Sequence, residues 1–173
     1  MKYEQSRKTD IIKNNTLDEV EVLRPPTIAV IDDDPTLSRA VARILKANYN
    51  CVVNGFRSVE DFLYAVDKNP NIASPEDFAD LILLDFHLPG QNGPVLVKEL
   101  EKRNSPLLNR SRIMGITGDS EPVVYAGFKN AGIEEIFIKP LKMLDYNTIA
   151  NRAYKICKDM DTLAPDPIFK STF

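Results

Sequence analysis

From Thr27 onward, short apolar runs alternate with apolar positions at helical spacing. Ile28 to Ile31, Cys51 to Val53, Leu81 to Leu84, Ile113 to Ile116 and Ile136 to Ile138 read as five strands. The first and third are unbroken apolar runs, as expected of strands buried on both faces. Leu37, Val41, Ile44 and Leu45 recur at helical spacing after the first strand. Ser58 is placed to cap a second helix, whose apolar face is Val59, Phe62, Leu63 and Val66. Asn92-Gly93-Pro94 opens a third, running to about Arg103, with Pro94 tolerated in its first turn. Ser120-Glu121-Pro122 starts a fourth that stops at Gly132. The fifth spans Leu141 to about Lys158. Asn69 to Ala79, with two prolines, reads as a loop. Strands alternating with helices imply a parallel, doubly wound sheet. Right-handed crossovers put helices on both faces and the strand carboxyl ends along one edge.

Three segments are expected: a polar N-terminal arm over 1–26, one domain over 27–158, and a tail over 159–173. Ile11, Ile12, Leu17 and Val20 offer the arm one short apolar face, although a mobile arm is the simpler reading. A chain of 173 residues can bury a proper core. Its 43% apolar and 27% charged residues are ordinary for a soluble globular protein. The net charge of -3 argues against direct nucleic-acid binding. Cys51 and Cys157 sit in apolar settings and read as reduced core thiols of a cytosolic protein. No stretch reaches the roughly 18 apolar residues of a membrane span, and Met1 to Ser6 lack a signal-peptide core. A cytoplasmic location is therefore expected. After Lys158 too few residues remain for an effector domain, so the chain is expected either to act alone or to be a fragment of a longer protein.

The chemistry lies at the strand ends. Asp32-Asp33-Asp34, Asp85, Thr117-Gly118 and Lys139-Pro140 each close an apolar run. In an open α/β sheet the ligand crevice lies outside those ends. Converging carboxylates raise one another's pKa unless a cation neutralises them, and Mg²⁺ suits such hard oxygen donors. One of the three consecutive aspartates is expected to cap the following helix, and Asp34 is assigned that part. Asp33 is the favoured metal ligand. A carboxylate such as Asp85 can attack phosphorus and form an acyl phosphate. Metal and ammonium, the latter from Lys139, would offset charge on the transferred oxygens. Thr117 can donate a hydroxyl hydrogen bond to a phosphoryl oxygen, and Gly118 leaves room beside it.

Val30-Ile31-Asp32-Asp33-Asp34-Pro35, Leu84-Asp85-Phe86-His87-Leu88-Pro89-Gly90, Thr117-Gly118 and Lys139-Pro140 resemble the receiver domain of a two-component response regulator, from about Thr27 to Lys158. The resemblance implies a flavodoxin-like, five-stranded parallel sheet of order 2-1-3-4-5 with five helices. It implies that Asp85 accepts a phosphoryl group from a sensor histidine kinase or phosphotransfer protein. Mg²⁺ would bind Asp33, Asp85 and the backbone carbonyl of His87, with Asp32 assisting through water. Thr117 and Lys139 would contact the phosphoryl group. Phosphorylation would then reshape the face of the fourth helix, fifth strand and fifth helix, switching a downstream protein partner or a phosphorylation-dependent dimer. The protein would be no enzyme beyond its own phosphorylation and dephosphorylation.

Some positions depart from that pattern. The spacing from Asp85 to Thr117 is slightly long, with extra residues expected in a loop over Asn104 to Ser111. Ile136 stands where the family usually has an aromatic residue, and its neighbour Phe137 should face the opposite way. His87 and Asp119, two residues beyond Asp85 and Thr117, are exposed-rim candidates that could orient an attacking water. Tyr125, Phe128 and Tyr146 fall near the expected signalling face. Two other functions remain. Asp32-Asp33-Asp34-Pro35-Thr36 also fits a haloacid-dehalogenase-type phosphatase with Asp32 as nucleophile and Asp34 as acid. That reading lacks a later acidic pair, finding only Asp145, Asp159 and Asp161, and leaves Asp85 unexplained. The other is a constitutive binding module without phosphorylation.

Overall fold

Residues 24–68 and 79–163 are described by the computed structural model. Most of the expected arm, the loop over 69–78 and the end of the tail lie outside them. The chain runs β1 (Thr27–Ile31), α1 (Pro35–Tyr49), β2 (Val52–Phe56), α2 (Val59–Lys68), β3 (Leu81–Asp85), β4 (His87–Leu88), β5 (Gln91–Asn92), α3 (Val95–Lys102), α4 (Leu107–Arg110), β6 (Arg112–Thr117), α5 (Pro122–Asn130), β7 (Ile136–Ile138) and α6 (Met143–Leu163). Five strands form one parallel sheet of order β2-β1-β3-β6-β7, and β4 and β5 form a small antiparallel hairpin. This is the expected flavodoxin-like order, with β6 and β7 as fourth and fifth strands.

Alternate strand residues feed two cores, as the two-residue strand period requires. Ile28, Val30, Leu81, Leu83, Met114 and Ile116 pack with α1 and α6. Ala29, Ile31, Ile82 and Leu84 pack on the other face with α2, α3, α4 and α5. The unbroken apolar strands are thus buried on both sides.

Local chemistry sets the element ends. Asp34 caps α1 by accepting the Thr36 N–H (2.8 Å), as expected, and Asn50 ends it in the left-handed conformation (φ 52°). The Ser58 hydroxyl accepts the Asp61 N–H at the start of α2 (3.1 Å). Gly132, just past α5, has φ 75°.

Several elements differ from expectation. Asn92, read as opening the third helix, instead lies in the β4–β5 hairpin, and that helix starts at Val95 with Pro94 as its N-cap. β2 begins and ends later than Cys51 to Val53. It is an edge strand whose later residues Asn54 and Gly55 are exposed, so its second half carries no apolar run. The long loop after α3 folds into the short helix α4, anchored by buried Leu107, making a sixth helix among the described residues. The last helix continues past Lys158 to Leu163.

At the amino-terminal edge of the sheet, buried Asp80 receives two hydrogen bonds from the Arg24 guanidinium (2.7 and 2.8 Å) and one from the Thr27 N–H (2.7 Å). Tyr154 of α6 donates its hydroxyl to the Tyr49 carbonyl nearby in that core (2.7 Å). Both cysteines are free and buried. Burial, then the field of Asp80, pushes the Cys51 thiol up to about 12, which keeps it protonated and unreactive.

Candidate functional site

Asp32 follows β1, Asp85 ends β3, Thr117 ends β6 and Lys139 follows β7. Because the four strands are parallel and adjacent, their carboxyl ends meet on one edge. Lys139 Nζ bridges the two buried carboxylates, 2.6 Å from Asp32 Oδ2 and 3.0 Å from Asp85 Oδ1. Among the described residues it is the sole polar partner of Asp32 Oδ2. Asp32 Oδ1 accepts the Asp34 N–H (2.9 Å), so both oxygens of Asp32 are engaged.

Burial raises the pKa of Asp85; Lys139 opposes this without cancelling it, and Asp32 adds to the rise. Burial also disfavours the Lys139 ammonium, but hydrogen bonding and charge from Asp32 and Asp85 outweigh it and raise its pKa. Lys139 therefore stays charged while Asp85 is held in an environment that resists its ionisation. At Asp34 the Thr36 N–H lowers the carboxyl pKa, as befits a helix cap rather than an acid.

Asp33 is exposed, yet one oxygen each from Asp32, Asp33 and Asp85 lies within 4.8 Å of the others. A bound Mg²⁺ holds its ligand oxygens about 3–4 Å apart. The donor set is hard and anionic, and its chemistry fits such an ion.

Thr117 is fully buried. Its hydroxyl oxygen accepts the Asp119 N–H (3.0 Å), and its carbonyl accepts the Lys139 N–H (2.8 Å). The loops carrying Thr117 and Lys139 are thus tied together by main chain. His87 stands on the β4–β5 hairpin, and its Nε2 lies 3.3 Å from Asp119 Oδ2 across the rim. The two rim residues expected to act together are in contact.

Two residues of the site escaped sequence reasoning. Gly93 is more than a helix opener: a Cβ there would overlap the Asp85 carbonyl oxygen and sit 3.0 Å from Leu84 Cγ. Gly115 lies under Phe128, where a Cβ would come within 2.8 Å of the ring. A glycine inside an apolar strand run was the available signal for the second.

Away from the site, Ile136 packs toward the core of α2, α3 and α5, and Phe137 toward that of α1 and α6. Phe137 therefore faces away from the position of the usual aromatic residue. Phe128 and Tyr146 are buried in the core. Exposed apolar groups beside β7 are instead Val123, Ile138, Met143 and Leu144.

Comparison with known proteins identifies this arrangement. The response regulator receiver domain pattern matches residues 28–151. The chain belongs to the response regulator receiver family. The two-component response regulator ORR1 of Oryza sativa subsp. japonica is 25% identical over 131 residues, covering 72% of this chain and 53% of ORR1. The receiver thus spans about half the length of that relative. A CheY-like receiver domain protein from Methanospirillum hungatei JF-1 shares 18% identity, with a TM-score of 0.60 over 81% of this chain and 99% of its own. The BeF3-activated DrrB receiver domain shares 22%, with a TM-score of 0.55 over 76% and 97%. At such identities these two structures speak for the fold alone.

Proposed function

We propose that this receiver accepts a phosphoryl group on Asp85 from a phosphohistidine of a sensor kinase or phosphotransfer protein, in a Mg²⁺-dependent reaction that switches binding of a protein partner. The observation that carries it is the buried Asp85 carboxylate facing the Lys139 ammonium at 3.0 Å, with Asp32 and Asp33 beside it. An Asp85 oxygen forms a bond to phosphorus as the donor's P–N bond breaks, and the imidazole leaves with the electron pair and takes up a proton. Asp33, Asp85, the His87 main-chain carbonyl and, through water, Asp32 would hold Mg²⁺, which would supply positive charge to the transferred oxygens. Lys139 turns its ammonium toward the same oxygens. Thr117 exchanges its local contact for a hydrogen bond to one of them. Since the loops of Thr117 and Lys139 share a main-chain hydrogen bond, movement at either is felt at β7.

Asp85 serves better as nucleophile than Asp32, whose oxygens are both already engaged. Exposed Ile138 on β7, Val123 on α5, and Met143 and Leu144 on α6 suit a downstream partner or phosphorylation-dependent dimer. No helix among the described residues is long and apolar enough to cross a membrane, and a cytoplasmic site of action fits the buried free thiols.

The test is intact mass after incubation with acetyl phosphate, with and without Mg²⁺, beside Asp85→Asn. One Mg²⁺-dependent phosphoryl adduct, absent from the variant, is expected. No adduct on folded protein would point to a constitutive binding module, and an adduct persisting in Asp85→Asn would return Asp32 and the phosphatase chemistry to consideration.

A further inference from the structure

We propose that the free edge of β2, with the groove between β2 and α1, binds an extended acidic segment of a partner protein by strand addition. The proposal stands whether or not Asp85 is phosphorylated.

The main chain of β2 has one paired and one free side. The Val52 N–H bonds to the Pro26 carbonyl, and the Phe56 carbonyl accepts the Asp32 N–H. Residues 52, 54 and 56 therefore direct their main chain toward β1, and strand geometry points the N–H and C=O groups of Val53 and Gly55 outward. No described residue hydrogen-bonds those outward groups. Edge strands are ordinarily blunted by charge, proline or a bulge. Val52–Phe56 contains no proline or charged residue, pairs with β1 without a break in register, and leaves Val52 45% exposed.

Beside this edge a groove of about 280 Å³ runs between α1 and β2, with Val53 and Gly55 in its lining and Arg39 and Arg57 at its sides. Gly55 lets the helix come close, since a Cβ there would lie 3.0 Å from Ser38 Cβ. Arg39, the next residue on α1, is exposed at the side of the groove. Neither arginine forms a salt bridge with a described carboxylate, although the Arg39 charge acts on exposed Asp34; its one hydrogen bond runs from Nε to the Pro35 carbonyl (3.1 Å). The one buried acid in the lining, Asp32, is already neutralised by Lys139. The groove thus combines free main-chain donors and acceptors with two exposed guanidinium groups that no salt bridge holds. A strand carrying carboxylates on alternate residues satisfies both: main-chain bonds give affinity, and the arginines select the side chains.

The experiment titrates a blocked heptapeptide of alternating valine and glutamate into the ¹⁵N-labelled full chain. Saturable shifts confined to Val53, Gly55, Arg39, Arg57 and their neighbours are expected. Affinity should fall about tenfold or more on replacing glutamate by lysine, in Arg39→Gln/Arg57→Gln, and with a peptide N-methylated at alternate amides, each tenfold being ~1.4 kcal/mol. Circular dichroism checks that the variant, altered only at exposed side chains, is folded. Equal binding of the N-methylated peptide would overturn strand addition, and equal binding of the lysine peptide would overturn acidic recognition. Absent or diffuse shifts, or a protein-concentration-dependent dimer using this edge, would refute the proposed occupant.

Discussion

Replacing Gly93 by alanine tests the site from beneath. A Cβ at this position overlaps the Asp85 carbonyl oxygen and stands 3.0 Å from both the Asp85 carbonyl carbon and Leu84 Cγ. The strand cannot yield easily, because Asp85 closes β3, the central strand, which pairs with β1 on one side and β6 on the other. The loop must move instead. It is held by the Gly93 N–H donating to the Phe86 carbonyl (2.8 Å) and the Leu96 N–H donating to the Gly93 carbonyl (2.9 Å). Overpacking costs about 1–3 kcal/mol, and weakening two such hydrogen bonds costs about 1 kcal/mol each. A loss of roughly 3–5 kcal/mol follows, a large part of the ~5–15 kcal/mol that holds a domain together. Urea titration measures it directly, and the melting temperature should fall by roughly 6–20 °C. Gly118→Ala is the control for stability, since a Cβ there meets nothing within 4 Å. If Asp85 is the acceptor, shifting it by about an ångström should also slow phosphorylation by acetyl phosphate about 10²-fold. A Gly93→Ala protein within about 1 kcal/mol of the parent would refute the packing argument.

Asp85→Asn should stabilise the metal-free protein at neutral pH. Burial raises the folded pKa of Asp85 above its unfolded value, so its penalty grows as pH rises through that window and is fully present above it. Added Mg²⁺ should raise the melting temperature of the parent, by about 2.7 kcal/mol of stability at a hundred times its dissociation constant, and leave the variant nearly unmoved; a reversed order in thermal melts would contradict this. Arg24→Ala strips Asp80 of its counterion while the carboxylate stays buried, and denaturant midpoints should register a loss of about 3–5 kcal/mol. The His87–Asp119 contact is proposed to hold a water for attack on the phosphoryl group; His87→Ala and Asp119→Ala should lengthen the phosphoryl half-life, and an unchanged half-life would sink that role.

Residues whose type and strand position suffice were legible in the sequence. Asp32, Asp85, Thr117 and Lys139 each close an apolar run, and parallel pairing alone brings such ends together. The opposite facing of Ile136 and Phe137 follows from strand alternation. What escaped depends on three-dimensional approach. Gly93 reads locally as a helix opener, and only the sheet shows it against the Asp85 carbonyl. The later half of β2 is an exposed edge, so the apolar signal that marks interior strands is missing there. Helix α4 is too short for periodicity to reveal, and it rests on one buried side chain, Leu107.

The Arg24 clamp bears on where this domain can be cut. The receiver pattern spans residues 28–151, but Arg24 before it neutralises Asp80, and Tyr154 and Cys157 after it reach the Tyr49 and Arg24 carbonyls. A fragment trimmed to the pattern would keep Asp32, Asp85, Thr117 and Lys139 while exposing one end of the core and orphaning a buried carboxylate. Conversely, a fusion joined ahead of Arg24 leaves that seam intact, at the pole of the sheet farthest from Asp85. The stretch that carries the family's signature is thus smaller than the stretch that must fold together.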